Sequence, residues 1–341
     1  MTGSDQRAEV AAALLMLDRM GLSLQDLVGA GPAKPPPTFA EFVPKVRAAV
    51  TAGTLKAYGT YWNRLVDEWG DRPITDPRPI ELSQFAETLR ASRLLRRNGR
   101  NGDGTVENFV AAARCLYKLA IAEGYLKAAD DPSQKISKPR RPGSIRSALP
   151  PHLLDELAQA ASTTGDDPEL DALIIRLHSE TACRRGGALN LRPCDLDQDN
   201  CLIRLREKGG KERWQPVSPT LMRHLVHHAS SRRAPEQGKL LRYASGRAIT
   251  YRRYDHLFVR LGKDLEWVAK ANVSAHWIRH TIITWVERNF GLAVAELYAG
   301  HEPDSEGSTT LRYAKATTSE VAYALSVLTG EPHPLTTSND S

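Results

Sequence analysis

Cysteine is scarce: four among 341 residues, Cys115, Cys183, Cys194 and Cys201, at irregular spacing. That excludes a disulfide framework and a clustered-thiolate zinc site, both of which need paired cysteines. Long apolar runs are missing as well. No stretch reaches the roughly eighteen apolar residues of a membrane helix, and no basic stretch leads into an apolar one near Met1, so a cytoplasmic chain without a span or a secretory leader is expected. Neither sign of charge dominates. Forty-six Lys and Arg face forty Asp and Glu, a formal charge of +6 with pI near 9.1, which admits a polyanionic partner without requiring one. Hydrophobic residues make up 41%, ample for the cores of two domains.

The positive charge is concentrated. Arg90, Arg93, Arg96, Arg97 and Arg100 fall within eleven residues, and Lys135, Lys138, Arg140, Arg141 and Arg146 within twelve. Each run reads either as a solvated face or as a track along a phosphate backbone.

The organisation follows from patterning. Residues 1–37 comprise a short helical piece around Ala8–Val28 and the Gly- and Pro-rich linker GAGPAKPPP, and their role is unassigned. Thr38 with Glu41 three residues on is a capping-box signature, and apolar residues then recur at helical spacing through four segments as far as Gly124. The stripe Tyr58, Tyr61, Trp62, Leu65, Val66 and Trp69 is expected to be core and not a base-stacking platform. Residues 38–130 are therefore expected to form an all-helical domain. Residues 131–148 hold three prolines and five cations and predict an unpacked basic linker. In 149–330 helical patterns enclose one change of period, where Ile203 and Leu205 alternate with Arg204 and Arg206 before a Gly209-Gly210 turn, which predicts a β-hairpin. The fold class is mainly α with a small β-hairpin or sheet, and residues 331–341 are expected to be a disordered tail. His224, His227 and His228 predict a partly exposed helix face.

One set of residues carries chemistry: Arg184 in TACRRGGALNL, Lys208 in REKGGKERWQPV, His276 and Arg279 in HWIRHT, and His301 and Tyr313 in AGHEPDSEGSTTLRYAKA. Two arginines, two histidines, a lysine and a tyrosine can cleave a phosphodiester without a metal. Tyrosine is a nucleophile that stores the broken bond as a phosphoester. Guanidiniums clamp and neutralise phosphate oxygens, and lysine and histidine move protons. His276 and Arg279, three apart, share a helix face. His276 and His280 also have the spacing of a zinc pair, but lack the adjoining glutamate and an evident third ligand.

The order and wording of these motifs resemble the tyrosine recombinases, the integrase and Xer-type enzymes. TACR is similar to their Thr-Gly-x-Arg box and KGGKERWQPV to their Lys-Gly-x-Lys-Glu-Arg-x-x-Pro hairpin. HWIRHT is similar to His-x-x-Arg-His-Thr, and AGH with TTLRY to the Gly-His and Thr-Thr-x-x-Tyr boxes. The likeness spans 149–330 and is weaker over 38–147, where it rests on a helical, core-binding type of domain before a basic linker. It implies a helical core-binding domain followed by a mixed α/β catalytic domain. It also implies that Tyr313 forms a 3′-phosphotyrosyl bond and leaves a free 5′-hydroxyl. Arg184 and Arg279 would hold the phosphate, Lys208 (with Lys211 as its rival) would protonate the leaving oxygen, and His276 and His301 would assist. No cofactor, metal or ATP is implied.

The implied partners are double-stranded DNA carrying specific recombination sites, a homotetramer on two such sites, and candidate accessory DNA-bending or directionality proteins. DNA backbone contacts fall to Arg93, Arg96, Arg97, Arg100, Lys135, Lys138, Arg140 and Arg141. After Tyr313, the apolar face Val321, Leu325 and Leu328 packs either on a neighbouring protomer or on its own domain. Three departures stand out: Gly187 where an acid three after the first Arg is frequent, Ala182 in place of glycine, and a His301–Tyr313 interval about three residues longer than the family's. Mobile-element integration or excision is the expected role. A type IB topoisomerase-like activity and a noncatalytic DNA-binding regulator are the alternatives.

Overall fold

The computed structural model describes residues 3–21, 23, 35–92, 100–140, 148–207, 210, 212–300 and 316–337. The chain divides into two compact units, Met1–Gly143 and Ser144–Ser341.

The first unit begins with helix α1 (Gly3–Arg19), whose described side chains are largely solvent-facing. Helices α2 (Phe39–Ala49), α3 (Ala52–Trp69), α4 (Pro79–Ala91) and α5 (Asp103–Ala122) then build its core. The capping box opens α2: Glu41 N–H donates to Thr38 Oγ1 at 3.3 Å, and Thr38 N–H to Glu41 Oε2 at 3.0 Å. Four aromatic side chains, Phe39, Trp62, Phe109 and Tyr117, are fully buried. Trp62 satisfies its indole by donating to Ala112 O at 2.9 Å, so the aromatic stripe of α3 is core.

The basic segment expected to run unpacked from Asp131 starts instead inside this unit. Asp131 accepts from Ser133 N–H at 2.8 Å and caps a 3₁₀ turn, Pro132–Lys135. Arg114 of α5 donates to Ser133 O at 3.3 Å and Ile136 O at 3.1 Å, and Ile136 is buried in the core. Buried backbone carbonyls need donors, and Arg114 supplies them, which is what holds 131–136 against the helices. Arg90 is also not a free surface cation: it pairs with Glu87 at 3.0 Å and Asp103 at 2.9 Å.

The second unit is helical around one small antiparallel sheet. It runs α6 (Pro151–Thr163), α7 (Pro168–Thr181), α8 (Arg185–Asn190), strands β1 (Leu196–Asp197), β2 (Leu202–Arg206) and β3 (Glu212–Pro216), then α9 (Pro219–Ser231), α10 (Tyr251–Asp264), α11 (Glu266–Ala271), α12 (Ala275–Phe290), α13 (Leu292–Ala299), α14 (Thr318–Thr329) and α15 (Pro334–Thr337). The sheet order is β1-β2-β3, with Leu205 opposite Arg213 and Arg206 opposite Glu212. Alternation on β2 buries Ile203 and Leu205 and turns Arg204 and Arg206 toward the buried carboxylate of Asp195. Gly291 links α12 to α13, and Gly300 caps α13 with a left-handed φ of 64°.

Two expectations are corrected here, and one open alternative is narrowed. Residues 331–337 are packed: Glu331 pairs with Arg176 at 2.8 Å and accepts from Thr220 N–H at 3.1 Å, and His333 is buried. His228 is buried, although His224 and His227 on the same helix are exposed, because its Nε2 turns inward to accept from Arg242 N–H at 3.1 Å. Of the two packings left open for the face after Tyr313, the one on its own unit is found: Val321 and Leu325 of α14 are buried in that core, with Leu328 partly buried against it.

Candidate active site

Arg184 stands at the N-cap of α8, after a loop whose geometry the neighbouring residues enforce. Ala182 ends α7 in the left-handed region, with φ 46° and ψ 26°, and its N–H donates to His178 O at 3.0 Å. Cys183 N–H donates to Thr181 Oγ1 at 3.2 Å. His178 is wholly buried, and its Nδ1 lies 3.0 Å from Cys183 O. A carbonyl only accepts, so Nδ1 carries the proton, while Nε2 lies 3.0 Å from the hydroxyl of Tyr254 on α10. The backbone entering Arg184 is thereby tied to two helices.

Arg279, on α12, is 4% exposed. One guanidinium nitrogen donates to Ala182 O and the other to Ala299 O at 2.8 Å, so Arg279 pins together the Arg184 loop and the end of α13. Burial and the like charge of Arg184 pull its pKa down to about 10, against the opposing charge of Glu207. His276, one turn earlier on α12, is exposed. A cleft of about 870 Å³ is lined by Arg184, His276 and Arg279, with Tyr254 and Phe258 on its α10 wall. The structure therefore brings together three of the six residues the sequence singled out. The other three, Lys208, His301 and Tyr313, lie outside the described residues, as does Lys211.

Thr281, the last residue of HWIRHT, is structural. Its Oγ1 accepts from Leu149 N–H at 3.0 Å and donates to Trp277 O at 3.0 Å, anchoring the start of the second unit. The glycine before His301 is likewise explained. A Cβ at Gly300 would fall inside the side chain of Arg213, and the left-handed φ already favours glycine.

Sequence reasoning assigned no role to Arg213 or Glu207. Arg213 is half-buried on β3 and donates to Gln215 Oε1 and, at 3.4 Å, to Thr181 O. Burial lowers its pKa, and Glu207 counteracts this. Glu207, at the end of β2, accepts from Arg184 N–H at 2.9 Å through Oε1 and from the Arg184 guanidinium through Oε2. The available signal was its place next to Lys208 in a chain with glycine at 187.

Of the eight residues assigned to DNA contact, Lys135, Lys138 and Arg140 are exposed. Arg93, Arg96, Arg97 and Arg141 lie outside the described residues, and Arg100 is described in its backbone alone. Among the described residues no three His, Cys, Asp or Glu side chains are grouped to hold a metal, so the His276–His280 pair finds no third ligand there. No described helix is long and apolar enough to cross a membrane.

The model of the phage integrase family matches residues 148–320, just over half of the chain. The chain belongs to the phage integrase family. Relatives include tyrosine recombinase XerD of Lacticaseibacillus casei, 26% identical over 228 residues, covering 64% of this chain and 75% of the relative. Tyrosine recombinase XerD of Mycobacterium tuberculosis is 26% identical over 314 residues, covering 85% and 94%. Among solved structures, a lambda integrase dimer bound to a COC′ core site superposes with a TM-score of 0.59 at 13% identity, covering 92% of this chain and 87% of that one. The Tn1549 transposon integrase bound to circular intermediate DNA gives 0.59 at 18% identity, covering 82% and 96%. These structures share the integrase fold, mostly helical with a small three-stranded sheet.

Proposed function

We propose that this chain is a site-specific tyrosine recombinase that cleaves and rejoins duplex DNA through Tyr313. The observation that carries the reading is the convergence of Arg184, Arg279 and His276 on one cleft, in a chain of the phage integrase family. A cation cluster held by buried carbonyls is a preorganised receptor for the charge that builds on a phosphate in flight.

In the proposed reaction the Tyr313 oxygen attacks the scissile phosphorus and the bond to the 5′ oxygen breaks. The products are a 3′-phosphotyrosyl ester and a 5′-hydroxyl protonated by Lys208. Arg184 and Arg279 neutralise the nonbridging oxygens, and His276 and His301 handle the tyrosine proton. Attack of a 5′-hydroxyl from a second duplex reverses the step and joins the new strand, so the bond energy is conserved and no ATP is required. Exposed Lys135, Lys138 and Arg140, with the neighbouring arginines, track the DNA backbone and set position without reading sequence.

Mobile-element integration or excision by a tetramer on two sites, in the cytoplasm, is the biological setting we assign. It is supported by the likeness to the Tn1549 transposon integrase and to a lambda integrase tetramer bound to a Holliday junction. The test uses nicked duplexes from the DNA flanking the chain's own gene, which trap a covalent complex when the cut end diffuses away. A protein–DNA band that survives denaturation and vanishes in Tyr313→Phe is expected. DNA binding without such a band would sink the enzymatic reading.

A further inference from the structure

Glu207 and Gly187 fit together in a way that neither motif explains. Gly187 is the third residue of α8, counted from Arg184 at the N-cap. A glutamate at that position ordinarily folds back to accept the N-cap backbone N–H. With glycine there, the Arg184 N–H is instead taken by Glu207 Oε1, reaching across from the end of β2. The space left by the missing side chain is the space Glu207 occupies: a Cβ on Gly187 would lie 3.3 Å from Glu207 Cγ and 3.4 Å from Oε1. The Glu207 side chain is 3% exposed, whereas that of Arg184 is 38% exposed toward the cleft.

We propose that Glu207 is the positioning residue for Arg184, a carboxylate supplied by the hairpin in place of one on α8, and that Gly187 is the vacancy that admits it. The inference rests on the recombinase reading. Glu207 grips the Arg184 backbone and one arm of its guanidinium, which leaves the rest of the planar fork to meet a phosphate. The rotamer is set before the substrate arrives, so little orientation remains to be found in the transition state. The same carboxylate lies among Arg184, Arg213 and Arg279 and offsets their mutual repulsion. Because Glu207 directly precedes Lys208 in the chain, placing the hairpin and placing Arg184 become one folding event.

Four proteins test this on the nicked duplex under single-turnover conditions. Glu207→Ala is expected to slow formation of the Tyr313–DNA complex by about 100-fold, the scale of a misplaced catalytic group, with DNA affinity nearly unchanged. Glu207→Gln, which keeps the volume and one acceptor, should fall between this variant and the native protein. Gly187→Glu alone should also slow cleavage, because two carboxylates compete for one space. The double variant Glu207→Ala/Gly187→Glu, in which the helix supplies the carboxylate locally, should regain at least about tenfold over Glu207→Ala, a recovery that general loss of stability cannot produce.

A second readout needs no cleavage: the Arg184 Nε–H resonance, assigned by its absence in Arg184→Lys, should be ordered in the native protein, averaged in Glu207→Ala and ordered again in the double variant. Native-like cleavage by Glu207→Ala, or an Arg184 resonance indifferent to Glu207, overturns the positioning role. If the native protein traps no Tyr313-linked DNA, the recombinase reading falls, and the resonance alone then decides whether Glu207 orients Arg184.

Discussion

The two units keep charge in different places. All ten histidines of the chain lie at or beyond His152, in the second unit, which also buries Asp171, Glu180, Asp195, Arg253 and Arg279. Among the described residues of the first unit the buried charges are the carboxylates Glu107 and Asp131 and no arginine or lysine is buried; the rest of its core is mainly aromatic and aliphatic, and its linker-end cations face outward. A buried ion pair is a poor route to stability, since desolvation offsets most of the attraction. Its use in the second unit is geometric. Asp171 on α7 accepts from Arg253 Nε at 2.8 Å and a terminal nitrogen at 2.7 Å, and from Arg260 at 2.8 Å, which fixes α10 to α7. Helix α10 is the wall of the cleft that carries Tyr254 and Phe258, and α7 leads into Arg184. The Asp171–Arg253–Arg260 network, buried for alignment, sits behind the cleft that exposes Arg184.

The largest expected effect probes that division directly. Asp171→Ala leaves the buried Arg253 with Asp166 as its carboxylate partner and Arg260 with Asp264 at 3.9 Å, and should cost about 3 kcal/mol in urea unfolding, the lower end for a broken buried pair. Phe109→Ala in the first unit should cost a similar amount, about 3–5 kcal/mol, through lost burial and a cavity. The routes separate in function: Asp171→Ala should also slow cleavage by the folded fraction, whereas Phe109→Ala should leave it unchanged at saturating DNA. A loss under about 1 kcal/mol for Asp171→Ala would mean that the network holds nothing in place.

The histidine asymmetry gives a pH prediction. Burial, aided by the nearby charge of Arg232, brings the pKa of His228 down to about 4. Its Nε2 accepts a backbone hydrogen bond, which requires the neutral ring. The unfolded chain, with an ordinary histidine value near 6.5, therefore takes up the proton first as the pH falls. The contribution of neutral His228 is complete above about pH 6.5 and is lost progressively toward pH 4, up to about 3 kcal/mol in all. His228→Gln keeps an acceptor for Arg242 N–H and does not titrate. The difference in unfolding free energy between native and variant should shift by up to that amount between pH 7 and 4, in favour of the variant at low pH. A difference that stays constant with pH would show that His228 is protonated alike in both states.

Periodicity made the apolar half of this architecture legible. The stripe of Trp62 and Leu65, the alternation of Ile203 and Leu205 and the capping box at Thr38 each follow from local rules, and each is found where those rules place it. What escaped was long-range pairing of polar groups. The prolines and cations of 131–148 read as an unpacked linker, because nothing nearby shows that Arg114, 19 and 22 residues earlier, satisfies the carbonyls of Ser133 and Ile136. Residues 331–337 read as a tail because the partners of Glu331 are Arg176 and Thr220, more than a hundred residues away. In the site, Arg184 and Arg279 were visible through motif wording. Glu207 was not, since a glutamate before a lysine in a hairpin has no distinctive local pattern; only the empty space at Gly187 gives it meaning.

The smallest expected effect lies at Ala182, a left-handed residue of the second unit with no side-chain polar group to favour that conformation. In the first unit that conformation falls to Asn101, at φ 45°, a residue type that tolerates it. In the second, Ala182, Cys201, Arg233 and Asn272 adopt it, and at Ala182, at φ 46°, a methyl group is strained against its own backbone by about 1–2 kcal/mol. Ala182→Gly removes that strain. It also removes a fully buried methyl worth about 0.8 kcal/mol and gives the unfolded chain further freedom worth about 0.4–1 kcal/mol. The terms nearly cancel, so stability should change by less than about 1 kcal/mol. The Ala182 carbonyl that receives Arg279 is unaltered, so cleavage should stay within about threefold of native, less than 1 kcal/mol in the barrier. A clear gain in stability with a loss of cleavage would show instead that the strained alanine holds the Arg184 loop in its working geometry, and that the second unit positions its cations with backbone strain as well as buried charge.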